Sequence, residues 1–147
     1  MSTPNLVKAF YERIWNLGEV EAASELLDPN FSFRGSLGNQ MRGIGEFQSY
    51  VRSVREPLAE YHCEILTCLA EGDQAFAKMR FSGRHVAPFR GYQPTGKTVE
   101  WLGAALFKFE NSAISDLWVL GDLSGLDALL KAQAADRSEQ FSQGETR

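Results

Sequence analysis

The chain has 147 residues, of which 44% are hydrophobic and 23% are charged, and its formal net charge is −4. These values are typical of one soluble globular domain, and the acidic balance argues against nucleic acid or an anionic membrane as a partner. The first residues lack a basic stretch followed by an apolar one, and no apolar run reaches membrane-spanning length, so we expect a cytoplasmic location.

The first part of the chain predicts three helices and one short strand. Apolar side chains recur at helical spacing over residues 3–17, 19–27 and 44–56. Gly18 is placed to end the first helix, and Pro57 to stop the third. Between the second and third helices, Phe31-Ser32-Phe33 has the pattern of a short strand with both rings on one side, and a glycine-rich loop follows it.

The second part of the chain predicts four long strands and a short helix. Alternating side chains mark the strands at residues 61–70, 74–85, 98–110 and 113–121. A helix is expected over residues 123–132, and the polar residues beyond it are expected to fray. We therefore assign a single domain to residues 1–132 and a flexible tail to residues 133–147.

This order of elements indicates an α+β fold. We expect a cone-shaped barrel made of a strongly curved, mixed but mainly antiparallel sheet, with the three N-terminal helices packed on its concave face. The strand from Thr98 to Glu110 is apolar on both sides, and three helices can cover one face. We therefore predict a homodimer through the outer face of the sheet.

The cysteines and histidines give no sign of a disulfide or a metal site. Cys63 and Cys68 lie an odd number of positions apart in a predicted strand, which puts them on opposite faces, so we expect two reduced thiols. His62 and His85 are the two histidines of the chain, which is too few for the usual zinc ligand sets, so we expect no metal.

The connection from Gly83 to Lys97 is longer than a plain hairpin needs. It carries His85, Phe89 and Tyr92, and long loops of this composition commonly shape the rim of a pocket. We expect this loop to lie at the mouth of the cone.

Several short motifs follow one another in this part of the chain. They are Glu71-Gly72-Asp73, Gly83-x-His85, Phe89, Gly91, Pro94-Thr95-Gly96-Lys97 and Asp116-x-Trp118-x-x-x-Asp122-x-x-Gly125-Leu126. As an ordered set they resemble the SnoaL-like polyketide (ester) cyclase family of the nuclear-transport-factor-2-like superfamily, from about Val7 to Leu130.

The resemblance implies the cone fold and an intramolecular aldol ring closure that needs no metal or organic cofactor. The sequence departs from the family pattern at three places, with Ser112-Ala113 for Gly-Lys, Asp116 for Glu, and Ala128-Leu129 for Gln-Gln. These departures suggest divergence from the polyketide-making members, so no substrate is carried over.

Asp122, matched to the acidic residue of the family, is the candidate acid/base group. Strand alternation puts Trp118 and Asp122 on one side, which we expect to face an apolar cavity. The alternative role for Asp122 is the N-cap of the following helix. His85 shares the side of the apolar residues of its strand, and it is expected either to assist as a donor or to anchor the loop through backbone bonds.

The remaining candidates would shape the pocket or serve as ordinary core. They are the substrate-binding candidates Trp101, Trp118, Phe31, Tyr50, Phe89 and Asp116. Asp116 is also a backup carboxylate, or a solvated residue near a strand end.

Two classes of function follow from these expectations. The first is a cofactor-independent cyclase or isomerase that acts on a small hydrophobic carbonyl compound through Asp122. The alternative is a non-catalytic small-molecule-binding module of the same fold. A ketosteroid-isomerase-like or epoxide-hydrolase-like enzyme is a further alternative, because one fold hosts several activities.

Overall fold

The computed structural model describes the backbone of residues 3–145 and the side chains of residues 4–136. The elements in chain order are α1 (Thr3–Ala9), a π-helical turn (Phe10–Asn16), a 3₁₀ turn (Val20–Ala22), α2 (Ala23–Leu26), β1 (Leu27–Arg34), β2 (Gln40–Arg42), α3 (Ile44–Arg55), β3 (Leu58–Glu71), β4 (Gln74–His85), β5 (Thr98–Glu110), β6 (Ala113–Gly121) and α4 (Leu123–Glu145).

The strands form one six-stranded sheet in the order β2-β1-β6-β5-β4-β3. β1 and β6 run parallel, and the other neighbours are antiparallel. The sheet is curled but not closed, which confirms the expected α+β cone with a mixed, mainly antiparallel sheet.

The inner face of the sheet is covered by the N-terminal segments and α3. Phe10, in the π-helical turn, is fully buried, and its ring lies 5.6 Å from the rings of both Phe47 in α3 and Phe107 in β5. Full burial of one such ring contributes about 1.5–3 kcal/mol. The core therefore consists largely of aromatic contacts between the helical layer and the inner face.

Two predicted helices differ from the structure in length. The second predicted helix, residues 19–27, is replaced by two short helical turns between Val20 and Leu26. It ends earlier than predicted because β1 begins at Leu27. α4 continues to Glu145 rather than ending at residue 132, since residues 132–143 contain neither glycine nor proline. The boundary between domain and tail stays a prediction.

A β-bulge in β3 changes the expected placement of the cysteines. The register shifts between Ile65 and Thr67, so Leu66 is an extra residue in this strand. Cys63 and Cys68 consequently lie on the same, inner side, opposite inward-facing positions of β4. The prediction of opposite faces was wrong because it assumed a regular strand. Both thiols are free.

The opposite face of the sheet, here called the outer face, carries exposed apolar side chains. They include Leu102 and Leu106 of β5 and Trp118 and Leu120 of β6, each between 42% and 50% exposed. Among the described residues, no helix has the length and apolar character needed to span a membrane.

Candidate functional site

The interior pocket lies between the helical layer and the inner face of the sheet. Its helical side is formed by Phe10, Tyr11 and Trp15 of the π-helical turn and by Tyr50 of α3, with Tyr61 of β3 beside them. The remaining lining comes from Phe33, Ser36, Val54, Phe81, Leu117 and Val119. The cavity has a volume of about 20 Å³ for the centre of a water molecule. This volume is enough for about one water.

The π-helical turn places several neighbouring rings on this pocket. Phe10, Tyr11, Ile14 and Trp15 are all buried. A helix closed by i→i+5 bonds rotates less per residue than an α-helix, so these four side chains fall within a narrower arc that faces the sheet. The irregular winding is thus what directs Tyr11 and Trp15 inward together.

Three tyrosines line the pocket. Burial raises the pKa of Tyr11 and of Tyr61 well above the ordinary value, and burial raises the pKa of Tyr50 to about 12. All three are therefore neutral at physiological pH and can donate hydrogen bonds. Burial likewise raises the pKa of the Cys63 thiol, which interacts with Tyr61 and stays protonated.

The partners of the three hydroxyls differ. Tyr61 interacts with the Cys63 thiol, and the backbone of Leu37 bonds to Tyr50. The Tyr11 hydroxyl is buried and has no hydrogen-bond partner among the described residues. Tyr11 thus lines the pocket and carries a hydroxyl that no described residue satisfies.

The loop after β1 closes one end of the pocket. Tyr50 packs so closely on Gly35 that a Cβ there would lie 2.6 Å from the tyrosine oxygen. Next to it, the Ser36 hydroxyl lines the pocket and accepts a 3.4 Å hydrogen bond from Nε1 of Trp101. Trp101 therefore supports the site from behind, and Tyr50 contributes to its lining.

Asp122 lies outside the interior pocket. Its side chain is exposed, and its Oδ1 accepts a 3.0 Å hydrogen bond from the backbone N–H of Gly125 at the start of α4. This is the geometry of a helix N-cap. The expectation that the carboxylate faces an interior cavity was wrong, because Asp122 lines an open surface depression together with Trp101. Its acid/base role stays a prediction.

Trp118 and Asp116 share the side of Asp122. Trp118 is 42% exposed on the outer face, where the Arg34 guanidinium lies 5.7 Å from its ring centroid. Leu117 and Val119 are the residues of β6 that face the pocket. The prediction that Trp118 and Asp122 lie on the same side of β6 was correct. The prediction that this side faces the core was wrong, because Leu117 and Val119 occupy the inner side.

His85 is fully buried on the inner side of β4, as the alternation predicted. Neither ring nitrogen has a partner among the described residues. Its backbone closes the long loop, since its N–H donates to Lys97 and its carbonyl accepts from Gly96, each at 2.9 Å. His85 is not among the residues that line the interior pocket.

Phe89 and Phe31 are core rings in the structure. Phe89 lies 6.1 Å from the His85 ring and 6.2 Å from the Trp101 ring. Phe31 is fully buried against Phe33 and Phe47. Neither contributes to the lining of the interior pocket.

The sequence analysis did not single out Tyr11, Tyr61 or Ser36 as site residues. The sequence does contain a signal for the tyrosines. A tyrosine at a position predicted to face the core carries a hydroxyl that needs a hydrogen-bond partner, and this marks it as a candidate site residue. Among the described side chains, no group of three or more histidine, cysteine, aspartate or glutamate residues is placed to hold a metal ion.

Comparison with known proteins bears on the family and the fold. The family model for SnoaL-like polyketide cyclase matches residues 5–130. No curated protein matches the chain.

Solved structures with the same fold come from several bacteria. A proposed polyketide cyclase from Acidithiobacillus ferrooxidans has a TM-score of 0.80 at 20% identity, covering 91% of this chain and 100% of that one. TsrD from Streptomyces laurentii has a TM-score of 0.76 at 25% identity, covering 86% and 92%. A protein with a ketosteroid isomerase-like fold from Catenulispora acidiphila, in complex with trimethylamine, has a TM-score of 0.72 at 17% identity, covering 91% and 95%.

The curled sheet, its helical layer and the extent of the family match agree with one another. This chain belongs to the SnoaL-like polyketide cyclase family.

Proposed function

We propose that this protein binds a small hydrophobic carbonyl compound in the interior pocket, with tyrosine hydroxyls donating to the carbonyl oxygen. The observation that carries the proposal is the buried, unpartnered hydroxyl of Tyr11. Leaving such a group unsatisfied costs about 1–3 kcal/mol. A ligand oxygen placed against it would remove that cost.

The chemistry of the lining favours a neutral ligand with one acceptor. The walls are aromatic and aliphatic, and they contain no arginine or lysine that would attract an anion. Tyr11, Tyr50 and Tyr61 are neutral donors, which suit a ketone or quinone oxygen. An organic cation is the competing ligand class to test against ketones, because aromatic walls also attract cations and one structural neighbour is in complex with trimethylamine.

Binding requires the pocket to open. About 20 Å³ holds roughly one water, and a ketone needs several times that space. Tyr50 is packed at 5.6 Å from Phe33 and 6.1 Å from Trp15, so movement of its ring would enlarge the pocket toward the loop after β1. Because a closed state competes with binding, the measured affinity is reduced by the fraction of molecules that are open.

The lining favours binding over ring closure. An aldol cyclase needs a base to remove a proton next to the carbonyl. The raised pKa values keep Tyr11, Tyr50, Tyr61 and Cys63 protonated, and neither carboxylate nor imidazole belongs to the lining. The proposed function is therefore that of a small-molecule-binding module with a cyclase fold.

The test is a titration of aromatic ketones, quinones and a steroid ketone, followed through tryptophan fluorescence and calorimetry. Tetramethylammonium serves as the contrasting ligand. We expect a ketone or quinone to bind the parent protein, and the Tyr11→Phe variant to bind it about fivefold more weakly, since one hydrogen bond contributes about 1 kcal/mol.

Tyr92→Phe is the matched control, because it removes a hydroxyl from a tyrosine outside the pocket lining. Equal affinities of the parent and the Tyr11→Phe variant would overturn the assignment of Tyr11, and binding of tetramethylammonium in place of ketones would overturn the ligand class. Conversion of a bound ketone to a cyclised product, detected by mass spectrometry, would replace the binding function with an enzymatic one.

A further inference from the structure

The helical layer leaves the inner side of β3 partly uncovered. Cys63, Ile65 and Cys68 lie on this side, opposite buried positions of β4. Cys63 is buried, but Ile65 and Cys68 are half-buried although they belong to the face that carries the core. A groove therefore runs between β3 and the first helical segments.

The groove is large enough for a small molecule. Its volume is about 430 Å³, and its helical wall carries Pro4 and Lys8 of α1. Asn16 fixes the wall to β3, because its Oδ1 accepts from the Cys63 N–H at 2.6 Å and its Nδ2 donates to the Cys63 carbonyl at 3.1 Å. Pockets that bind small molecules have volumes of about 300–1,000 Å³.

Tyr11 stands between the groove and the interior pocket, since it lines both. After burial, the nearby Cys63 and Cys68 thiols are the further causes that raise the pKa of Tyr11, so the hydroxyl lies on the side of the groove that these thiols line. This hydroxyl is buried without a hydrogen-bond partner among the described residues. An unsatisfied donor thus lies at the boundary between the two spaces.

We propose that the groove is the outer part of the ligand site and the route by which a ligand reaches the interior pocket. This inference rests on the function proposed above. The ligand packs on Ile65 and Cys68, its carbonyl oxygen accepts from the Tyr11 hydroxyl, and its leading edge enters the interior pocket as the Tyr11 ring turns aside. The groove supplies the volume that the interior pocket lacks, about 430 Å³ against about 20 Å³.

The setting of Tyr11 suits such a movement. Its ring makes edge contacts with Phe10 at 5.0 Å and Phe107 at 5.9 Å, and its hydroxyl makes no hydrogen bond to a described residue that rotation would break. Tyr11 also lies in the π-helical turn, and irregular windings of this kind are frequent at functional sites.

The groove favours a neutral ligand with more than one ring. Its floor is apolar, and the charges at its rim are paired. Lys8 lies 4.0 Å from Glu12, and Glu64 lies 2.8 Å from Arg80. Because these charges offset one another, the groove offers no strong attraction for an ion, which agrees with the neutral donors of the interior pocket.

The proposed route is remote from the long loop that follows β4. Cys68 pairs with Ala77 near the beginning of β4, whereas the long loop follows His85 at the end of that strand. Ligand entry along the groove therefore requires no movement of the long loop.

The first test locates a bound ketone on the parent protein. Benzophenone is a neutral two-ring ketone that inserts into nearby C–H bonds when it is irradiated, and peptide mass spectrometry identifies the residues that it modifies. We expect saturable adducts on groove residues such as Pro4, Lys8 and Ile65, and competition by an excess of 2-acetonaphthone.

The outcome separates this inference from the proposed function. Saturable adducts confined to interior positions such as Leu117 and Val119 would overturn the groove and retain ketone binding in the interior pocket. The absence of any saturable adduct would overturn both.

The second test fills the groove. Ile65→Trp should weaken benzophenone binding at least about tenfold in calorimetry, because the larger ring takes the space that the ligand needs. Leu120→Trp is the matched control, since Leu120 is 50% exposed on the outer face, and it should bind within about twofold of the parent. A folded Ile65→Trp variant that binds like the parent would overturn the proposal. Circular dichroism checks folding, and if Ile65→Trp does not fold, the adducts on the parent decide the question without a substitution.

Discussion

Replacing Tyr11 with phenylalanine is expected to stabilise the protein. The Tyr11 hydroxyl is buried without a hydrogen-bond partner among the described residues, and its ring packs on Phe10 and Phe107 at 5.0 and 5.9 Å. Phenylalanine keeps these ring contacts and removes the uncompensated polar atom. The expected gain is the desolvation cost of that atom, about 1–3 kcal/mol.

The gain is large enough to measure by heat or by denaturant. With about 2.1 cal/mol/K of unfolding entropy per residue, a chain of 147 residues gains about 3 °C in Tm for each kcal/mol. We therefore expect a rise of roughly 3–9 °C, together with a higher urea midpoint at an unchanged m value.

Two comparisons sharpen the result. Tyr61→Phe removes a hydroxyl that interacts with Cys63, so it should be neutral or destabilising. If Tyr11→Phe instead lowers the free energy of unfolding by more than about 0.5 kcal/mol, the Tyr11 hydroxyl is satisfied in solution and our reasoning about this site fails. A variant that is more stable yet binds ligand more weakly would show that Tyr11 is maintained for binding.

Three further predictions concern stability. Asp122→Ala should lower the free energy of unfolding by about 1 kcal/mol through loss of the cap, whereas Asp122→Asn should leave it nearly unchanged; equal losses in urea unfolding would contradict the capping role. Because burial raises the pKa of Tyr50 from 10.0 to about 12, its stabilising contribution is complete below pH 10 and about 2–3 kcal/mol is lost as the pH rises from 10 to 12. Tyr50→Phe should flatten this alkaline loss in urea titrations at pH 9 and 11.5, and an unchanged slope would refute the assignment. Gly121→Ala should cost about 1–3 kcal/mol, because the new Cβ would lie 2.3 Å from the Ser36 carbonyl oxygen; Gly45→Ala, with nothing within 4 Å, is the control and should not destabilise.

Three of the four long strands of the second part could be predicted with their bounds, whereas β3, predicted at residues 61–70, spans Leu58–Glu71. β4, β5 and β6 begin and end where the alternation of the sequence does, at residues 74–85, 98–110 and 113–121. Their inward positions are consistently apolar, so the pattern is strong. β2 was not predicted, because its three residues are exposed or half-buried and carry no alternation.

Which side of a strand faces the core was harder to predict. In β3 the extra residue Leu66 reverses the alternation, and nothing in the local sequence marks it. In β6 the register shifts opposite Lys108 and Phe109, and Trp118 and Asp122 then point outward. Trp118 was predicted to shape the pocket, but it is 42% exposed on the outer face.

The candidate site was predicted least well, for a physical reason. Tyr11 lies in a predicted helix, and its direction depends on the π-helical winding of Phe10–Asn16, which replaces the regular helix that the sequence predicts. The convergence of Tyr50 and Tyr61 with it joins segments that are far apart in the chain. Contacts of this kind are set by tertiary structure and leave no local pattern.

The parallel pairing of β1 with β6 has a consequence for how the chain folds during synthesis. β1 spans residues 27–34, and its partner spans residues 113–121. Until the ribosome has released this partner strand, β1 can pair in the sheet with the three-residue β2 alone. Contacts of such long sequence separation form late and slow folding. A nascent chain of about one hundred residues can therefore pack Phe31 and Phe33 on Phe47 of α3, but it lacks the strand that completes this side of the sheet.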